Sequence, residues 1–363
     1  MDQRFYFACS QVGAEKAVKA EVAAALPFLR FAFSRPGFVT FKEEPVERAP
    51  CVLKTGIFTR LWGEVLGQIK DRSRLPELLS QIPKGAIVHR FDRDLFLPGQ
   101  EHDSFERNGN INGILRGLLE AAPSNSPLAA PNTPPHSAPN GAPIKRPRPG
   151  DTVYDLIWVD DFHLFLGRHT QGPFALPLPG NIPDLTQPEG VPSRAYLKIE
   201  EAFARCNPAM EKGLAVLELG CVPGGATVAM LGRGLRVTGV DPQFMDDGIL
   251  ARPGFAFIRK PARFLTAEDL RPCNPDWLVM DMSVAPSEAL PELAHAVKVL
   301  RSIHGKNLKL RHGFLTLKLN RWELAAEIPD YLNRLVKIGF RALHPMQLFA
   351  NRQEFFVWAG GFE

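Results

Sequence analysis

Cysteine is scarce and scattered. Cys9, Cys51, Cys206, Cys221 and Cys273 are odd in number and show no C-x-x-C spacing, so neither a disulfide framework nor a zinc site is indicated, and no metal is expected. Long apolar runs are also missing. None approaches the roughly 20 residues of a membrane helix, so no membrane partner is expected. The opening Met1-Asp2-Gln3-Arg4-Phe5-Tyr6-Phe7 reads as a first strand and lacks the features of a secretory signal. Together these point to a cytoplasmic protein. An excess of one charge sign is missing too: 43 basic residues face 39 acidic ones, for a net charge of +4. That balance permits a nucleic-acid partner without showing one.

The dinucleotide pattern G-x-G-x-x-G is absent as well. In its place stands Val216-Leu217-Glu218-Leu219-Gly220-Cys221-Val222-Pro223-Gly224-Gly225, and then Val237-Thr238-Gly239-Val240-Asp241. Two apolar runs each end at a polar turn, with Asp241 placed 21 residues after Gly220. A doubly wound α/β domain opens an adenosine-cofactor site in this way: the glycine turn admits the ligand and the second acid takes the ribose hydroxyls. Pro223 removes a backbone donor. A turn with fewer phosphate-facing N–H groups suits a ligand without phosphates, and S-adenosyl-L-methionine (SAM) is one.

What is present fills two domains. The chain has 363 residues, 45% hydrophobic and 23% charged, enough for two real cores. Residues 1–180 read as an α+β unit. A strand over 4–9 precedes a helix from Ala14 to Leu26 with Val18, Val22 and Leu26 on one face. Two strands follow around the turn Arg35-Pro36-Gly37. Further apolar segments lie at Leu61–Leu66, Leu75–Ile82, Ala86–His89, Thr152–Trp158 and Phe162–Leu166. A proline-rich insertion near 98–150 interrupts this unit; nine of the 30 residues from Ala121 to Gly150 are proline. Such a segment cannot bury enough apolar surface to offset its ordering entropy, so a flexible loop is expected. Residues 181–363 read as the α/β domain. Ser193 is a candidate N-cap for a helix with Ala195, Ile199, Ala202, Phe203 and Cys206 on one stripe.

The later apolar runs Phe255–Ile258, Trp277–Met280, Phe314–Leu319 and Phe355–Trp358 continue the sheet. Asp281 closes one run, Lys318 lies inside the next and Glu354 opens the last. Asp281 and Lys318 are 37 residues apart, and Lys318 and Glu354 are 36 apart, about one strand-helix-strand unit each. If the last strand is antiparallel, all three converge at the C-terminal strand edge, where α/β ligands bind. A lysine in so apolar a strand needs a partner. No Pro-Pro-aromatic sequence follows Asp281, which argues against amino methylation of a base. No cysteine follows that strand, which argues against cytosine C5 methylation.

Ser193-Arg194-Ala195-Tyr196-Leu197-Lys198, the Leu219–Gly225 turn, Asp281, Thr316-Leu317-Lys318-Leu319 and Arg352-Gln353-Glu354 resemble the K-D-K-E ribose 2′-O-methyltransferases of the FtsJ (RrmJ) family. Within that family the chain is similar to the RlmM-type branch, whose members methylate a cytidine ribose of 23S ribosomal RNA. The resemblance implies a C-terminal Rossmann-like class I SAM methyltransferase sheet and an N-terminal ferredoxin-like and THUMP-like RNA-binding region. It implies SAM as cofactor and RNA, 23S ribosomal RNA in particular, as partner. It implies a catalytic tetrad of Lys198, Asp281, Lys318 and Glu354, and cofactor contacts from Ser193, Glu218, Gly220, Val222, Pro223, Gly224, Gly225, Asp241 and Asp281. Lys318 is the candidate general base, with Lys198 as a second cation. That role needs the lysine pKa to fall by roughly 3 from about 10.4, whereas neighbouring carboxylates would raise it. One departure stands out. Where the family carries an acid near the adenine, this chain has Arg259-Lys260-Pro261-Ala262, leaving backbone groups to read the adenine or the cofactor to be held weakly. Other readings are a methyltransferase of a small-molecule hydroxyl, a degenerate methyltransferase that binds RNA without catalysis and, last, an NAD-dependent oxidoreductase.

Overall fold

The computed structural model describes residues 3–44, 51–53, 56–97, 146–208 and 211–363. The chain divides into two compact units, residues 1–183 and 184–363. Most of the proline-rich insertion, up to residue 145, lies outside the described residues.

Alternating apolar residues build the first unit. β1 (Arg4–Cys9), α1 (Glu15–Ala25), β2 (Leu29–Arg35), β3 (Phe38–Glu43) and β4 (Leu61–Ile69) are followed by α2 (Leu75–Leu79), β5 (Ile87–Asp92), β6 (Thr152–Asp160) and β7 (His163–Thr170). They form one sheet in the order β2-β3-β1-β4-β7-β6-β5. Every neighbouring pair is antiparallel except β5 and β6. One face carries Phe7, Phe38, Phe91, Ile157 and Phe165. The other packs Leu156, Leu164 and Leu166 against Leu78 and Leu79 of α2. On α1, Ala17, Val18 and Val22 are buried, whereas Leu26 lies just past the helix and is half-buried.

The second unit is a parallel sheet with one reversed strand. Its elements are α3 (Ala195–Cys206), β8 (Ala215–Leu219), α4 (Gly225–Gly232), β9 (Arg236–Val240), α5 (Asp247–Leu250), β10 (Phe255–Ile258) and α6 (Ala267–Leu270). Then come β11 (Trp277–Asp281), α7 (Pro286–His304), β12 (His312–Lys318), α8 (Ile328–Ile338), β13 (Ala342–Met346) and β14 (Glu354–Gly360). The order is β10-β9-β8-β11-β12-β14-β13. β14 runs antiparallel to both β12 and β13; the other pairs are parallel. The central strands are covered on both faces, so they read as unbroken apolar runs. Val216, Leu217 and Leu219 are fully buried, and each such side chain stabilises the fold by about 1.5–3 kcal/mol.

Two placements follow from this topology. From β8 the chain steps outward through β9 to β10, then returns to β11 on the other side of β8. That reversal opens a crevice at the C-terminal ends of β8 and β11. The reversal of β14 brings Glu354, the first residue of its strand, opposite Lys318, the last residue of β12.

Candidate active site

The turn after β8 depends on two glycines. Gly220 has φ +80, and a Cβ there would lie 2.9 Å from the Asp281 carbonyl oxygen. Only glycine lets the ends of β8 and β11 approach this closely. At Gly225, the first residue of α4, a Cβ would meet Ser193 Oγ at 2.2 Å and Ser193 O at 2.6 Å. The missing side chain lets α4 press against the start of α3. Gly224, with φ +105, occupies the N-cap position of α4.

Ser193 does not cap α3. Its carbonyl accepts Tyr196 N–H in a turn, Arg194 takes the N-cap position without a side-chain bond, and Ser193 Oγ is buried with no hydrogen-bond partner.

α3 delivers Lys198 to the strand edge. Its buried stripe of Ile199, Ala202, Phe203 and Cys206 packs against Ala226, Ala229 and Met230 of α4, which fixes the helix rotation. Lys198 Nζ then lies 2.9 Å from Asp281 Oδ2 and 2.6 Å from Glu354 Oε1. Lys318 Nζ lies 2.6 Å from Glu354 Oε2 and 3.3 Å from Asp281 Oδ1. Cation and anion alternate around a closed ring. Its weakest edge is the Lys318–Asp281 contact, an ion pair whose geometry leaves Asp281 Oδ1 without a hydrogen bond. Glu354 is 3% exposed and Lys198 9%, so these pairs sit where the effective dielectric is low.

Burial pushes the Glu354 carboxyl up, but the Lys198 and Lys318 ammoniums outweigh it and hold the group down at about 2. Burial pushes Lys318 down, but the Asp281 and Glu354 carboxylates outweigh it and hold the ammonium above the usual lysine value. The lowered lysine pKa that a general base requires is therefore not what this ring produces: charge pairing dominates desolvation. Below the ring, burial pushes Glu218 up to about 8, although Thr227 donates its hydroxyl to it at 2.6 Å.

Lys198, Asp281, Lys318 and Glu354 line a single cleft of about 550 Å³ with Ser193, Glu218, Gly220, Val222 and Pro223. The volume is that of a small-molecule site. Gly224, Gly225 and Asp241 do not line it. Asp241 instead supports the turn: Oδ2 accepts Val222 N–H at 3.2 Å and Oδ1 accepts Gln243 N–H at 2.9 Å. Each oxygen keeps lone-pair capacity for a further donor. At the position of the absent adenine-side acid, Lys260 is paired with Asp269 at 2.7 Å and the Arg259 guanidinium lies 3.2 Å from the Phe244 ring centroid.

Arg194, Ser283, Asn320, Arg352 and Gln353 complete the cleft wall. Ser283 and Asn320 carry no motif that sequence reasoning could have caught, although each lies two residues past a strand end. Thr227 was findable: it lies in the first turn of the helix after the glycine turn, where a hydroxyl can reach back to the strand-end acid.

Residues 191–359 match the model of the FtsJ-like methyltransferase family. A protein named ribosomal RNA large subunit methyltransferase M from Azoarcus sp. is 30% identical over 188 residues, 49% of this chain and 48% of that protein. A protein of the same name from Methylococcus capsulatus is 37% identical over 124 residues, 31% of this chain and 32% of that protein. The chain spans about half the length of the curated relatives it matches. Among solved structures, fibrillarin from Aeropyrum pernix in complex with SAM shares 15% identity and a TM-score of 0.33, covering 61% of this chain and 90% of that one.

Proposed function

We propose, from the match of residues 191–359 to the FtsJ-like methyltransferase family, that the protein transfers a methyl group from SAM to a ribose 2′-hydroxyl of RNA, with 23S ribosomal RNA as the substrate. The observation that carries this reading is the ring of Lys198, Asp281, Lys318 and Glu354 at the wall of the glycine-turn cleft. A hydroxyl placed there meets ammonium donors and carboxylate acceptors together. The same ring argues against a non-catalytic RNA-binding role, which would have no use for two lysines buried among acids at a cofactor cleft.

The cleft residues fit a cofactor without phosphates. Val222 N–H is already given to Asp241 and Pro223 has none, so the turn has little left for a pyrophosphate. Ser193 Oγ is an unused buried hydroxyl on the cleft wall. Ser193, Glu218, Gly220 and Asp281 would hold the amino-acid part, and Asp241 the ribose. When bound, SAM supplies a methyl group on a cationic sulfur leaving group.

The protein's own groups then position the acceptor. Lys318 and Lys198 orient the ribose oxygen by N–H donation, and the carboxylates of Asp281 and Glu354 keep both ammoniums in place. The two carboxylates favour the ammonium form of Lys318, which suits it to donate rather than to accept. As the new O–C bond forms and the donor C–S bond breaks, the hydroxyl proton becomes strongly acidic, and a carboxylate oxygen of Asp281 or Glu354 accepts it. Positioning of this kind contributes more than the proton transfer itself.

The residue 1–183 unit is assigned to substrate binding. Its strand order β2-β3-β1-β4 supports the ferredoxin-like part of that reading. The test is methyl transfer from labelled SAM to ribosomal RNA lacking its own modification, with mapping of alkali-resistant linkages. Label at one ribose supports the proposal. Label on a base, or none with folded protein, overturns it.

A further inference from the structure

α3 carries a second charged residue that faces inward. Glu201 is 0% exposed and lies three residues after Lys198, so both occupy one side of the helix. Its Oε1 accepts Arg205 Nε–H at 2.7 Å and Phe349 N–H at 2.9 Å, and its Oε2 accepts Ala350 N–H at 3.2 Å. The two amides belong to the loop that leads from β13 into β14. Two residues on, Asn351 accepts Leu348 N–H at 2.8 Å and donates Nδ2–H to Glu354 Oε1 at 3.1 Å. That is the same oxygen that receives Lys198 at 2.6 Å.

We propose that Glu201 is a positioning residue of the ring, anchoring the loop at Phe349 and Ala350 so that Glu354 meets Lys198 at hydrogen-bond distance. One helix then holds both ends of the contact. Lys198 reaches Glu354 directly, and Glu201 reaches it through Ala350 and Asn351. A buried carboxylate is costly unless its oxygens are hydrogen-bonded; both Glu201 oxygens are, and each takes an amide of the loop. A group needed only for helix stability would be served by the Arg205 pair alone. The activity arm of this inference rests on the proposed methyl transfer, whereas the anchor itself does not.

The experiment compares the full-length protein with Glu201→Gln, Glu201→Asp and Arg205→Lys. Amide hydrogen exchange over residues 347–351 reads the anchor without any ligand. Methylation kinetics, S-adenosylhomocysteine binding and melting temperature are measured on the same samples. The expected result for both Glu201 variants is exchange at least about tenfold faster over 347–351. It is joined by a kcat loss of roughly 100-fold, the usual consequence of ångström-scale misplacement, with KM for RNA and cofactor affinity within about threefold. Arg205→Lys is expected to lower the melting temperature and leave kcat within about threefold. Unchanged exchange in both Glu201 variants overturns the proposal, as does faster exchange with full kcat, or a kcat loss that tracks melting temperature equally in Arg205→Lys. A parent protein that transfers no methyl group defeats the proposed function, while the exchange data still decide the anchor.

Discussion

Gly225→Ala probes the contact that sets α3 against the cofactor turn. The added Cβ would lie 2.2 Å from Ser193 Oγ, 2.6 Å from Ser193 O and 3.1 Å from Tyr196 N. The hydroxyl could rotate away, but the carbonyl and the amide are backbone. Bringing Ser193 O from 2.6 Å out to an ordinary contact near 3.4 Å moves the start of α3 by about 0.8 Å. A shift of that size carried to Lys198 stretches its 2.6 Å contact and takes its 2.9 Å contact out of hydrogen-bond range. Overpacking of this kind destabilises by about 1–3 kcal/mol, and misplacement approaching 1 Å slows an oriented reaction roughly 100-fold. Single-turnover methylation at saturating RNA, with melting temperature as the companion, measures both. Adding Ser193→Ala removes the 2.2 Å clash but not the backbone ones, so the double variant should recover only a small part of the rate. A Gly225→Ala protein within threefold of the parent rate and with an unchanged melting temperature would refute the close-approach reasoning. Full recovery by Ser193→Ala would refute the backbone share of it.

The pH-rate profile separates the two possible proton acceptors. With a carboxylate as acceptor and Glu354 held at about 2, single-turnover rates stay level from about pH 5 to pH 9; a tenfold rise per pH unit across that range would restore Lys318 as the base. Glu354→Gln leaves two lysines short of a counter-charge and should destabilise by about 3–5 kcal/mol in denaturant titration. Because its folded pKa of about 2 lies below the ordinary 4.5, Glu354 stabilises the fold above pH 4.5, and that contribution is lost as pH falls towards 2; the Gln variant should show a flatter acid limb. Glu218 has the opposite sign. Its folded pKa of about 8 lies above 4.5, so stability is greatest below pH 4.5 and declines as pH rises towards 8. Glu218→Gln should remove that decline, and a parent curve flat over this window would show that Glu218 ionises normally.

How far the sequence disclosed this site depended on the kind of contact. Asp281, Lys318 and Glu354 lie at or near the ends of apolar runs, so spacing brings them to one edge once the last strand is taken as antiparallel. The pairing of Lys318 with Glu354 needed only the direction of β14. Charge balance was another matter: whether burial or the two carboxylates governs Lys318 is a question of distances such as 2.6 Å and 3.3 Å, which no spacing supplies. Ser193 has the side chain of an N-cap, yet the helix begins one residue later, with Arg194 at the cap and Ser193 packed against Gly225. Glu201 and Arg205 form an i,i+4 pair of the type that usually faces solvent, and only the loop after β13 turns it inward. In the first unit the pairing of β5 with β6 joins segments separated by residues 93–151, and local patterning carries no information about which strand lies beside which.

The ring also bears on how a polyanion would reach the cleft. Two positive and two negative charges in alternation form a quadrupole, and its field decays with distance far more steeply than that of a net charge. Beyond a few ångströms the field of the ring itself is weak. Long-range attraction of a phosphate backbone must come from cations outside the ring, such as Arg194 and Arg352 on the cleft wall. Encounter and chemistry are thereby carried by separate residues. Surface charge can be retuned to alter salt dependence and association rate without disturbing the four charged groups of the ring.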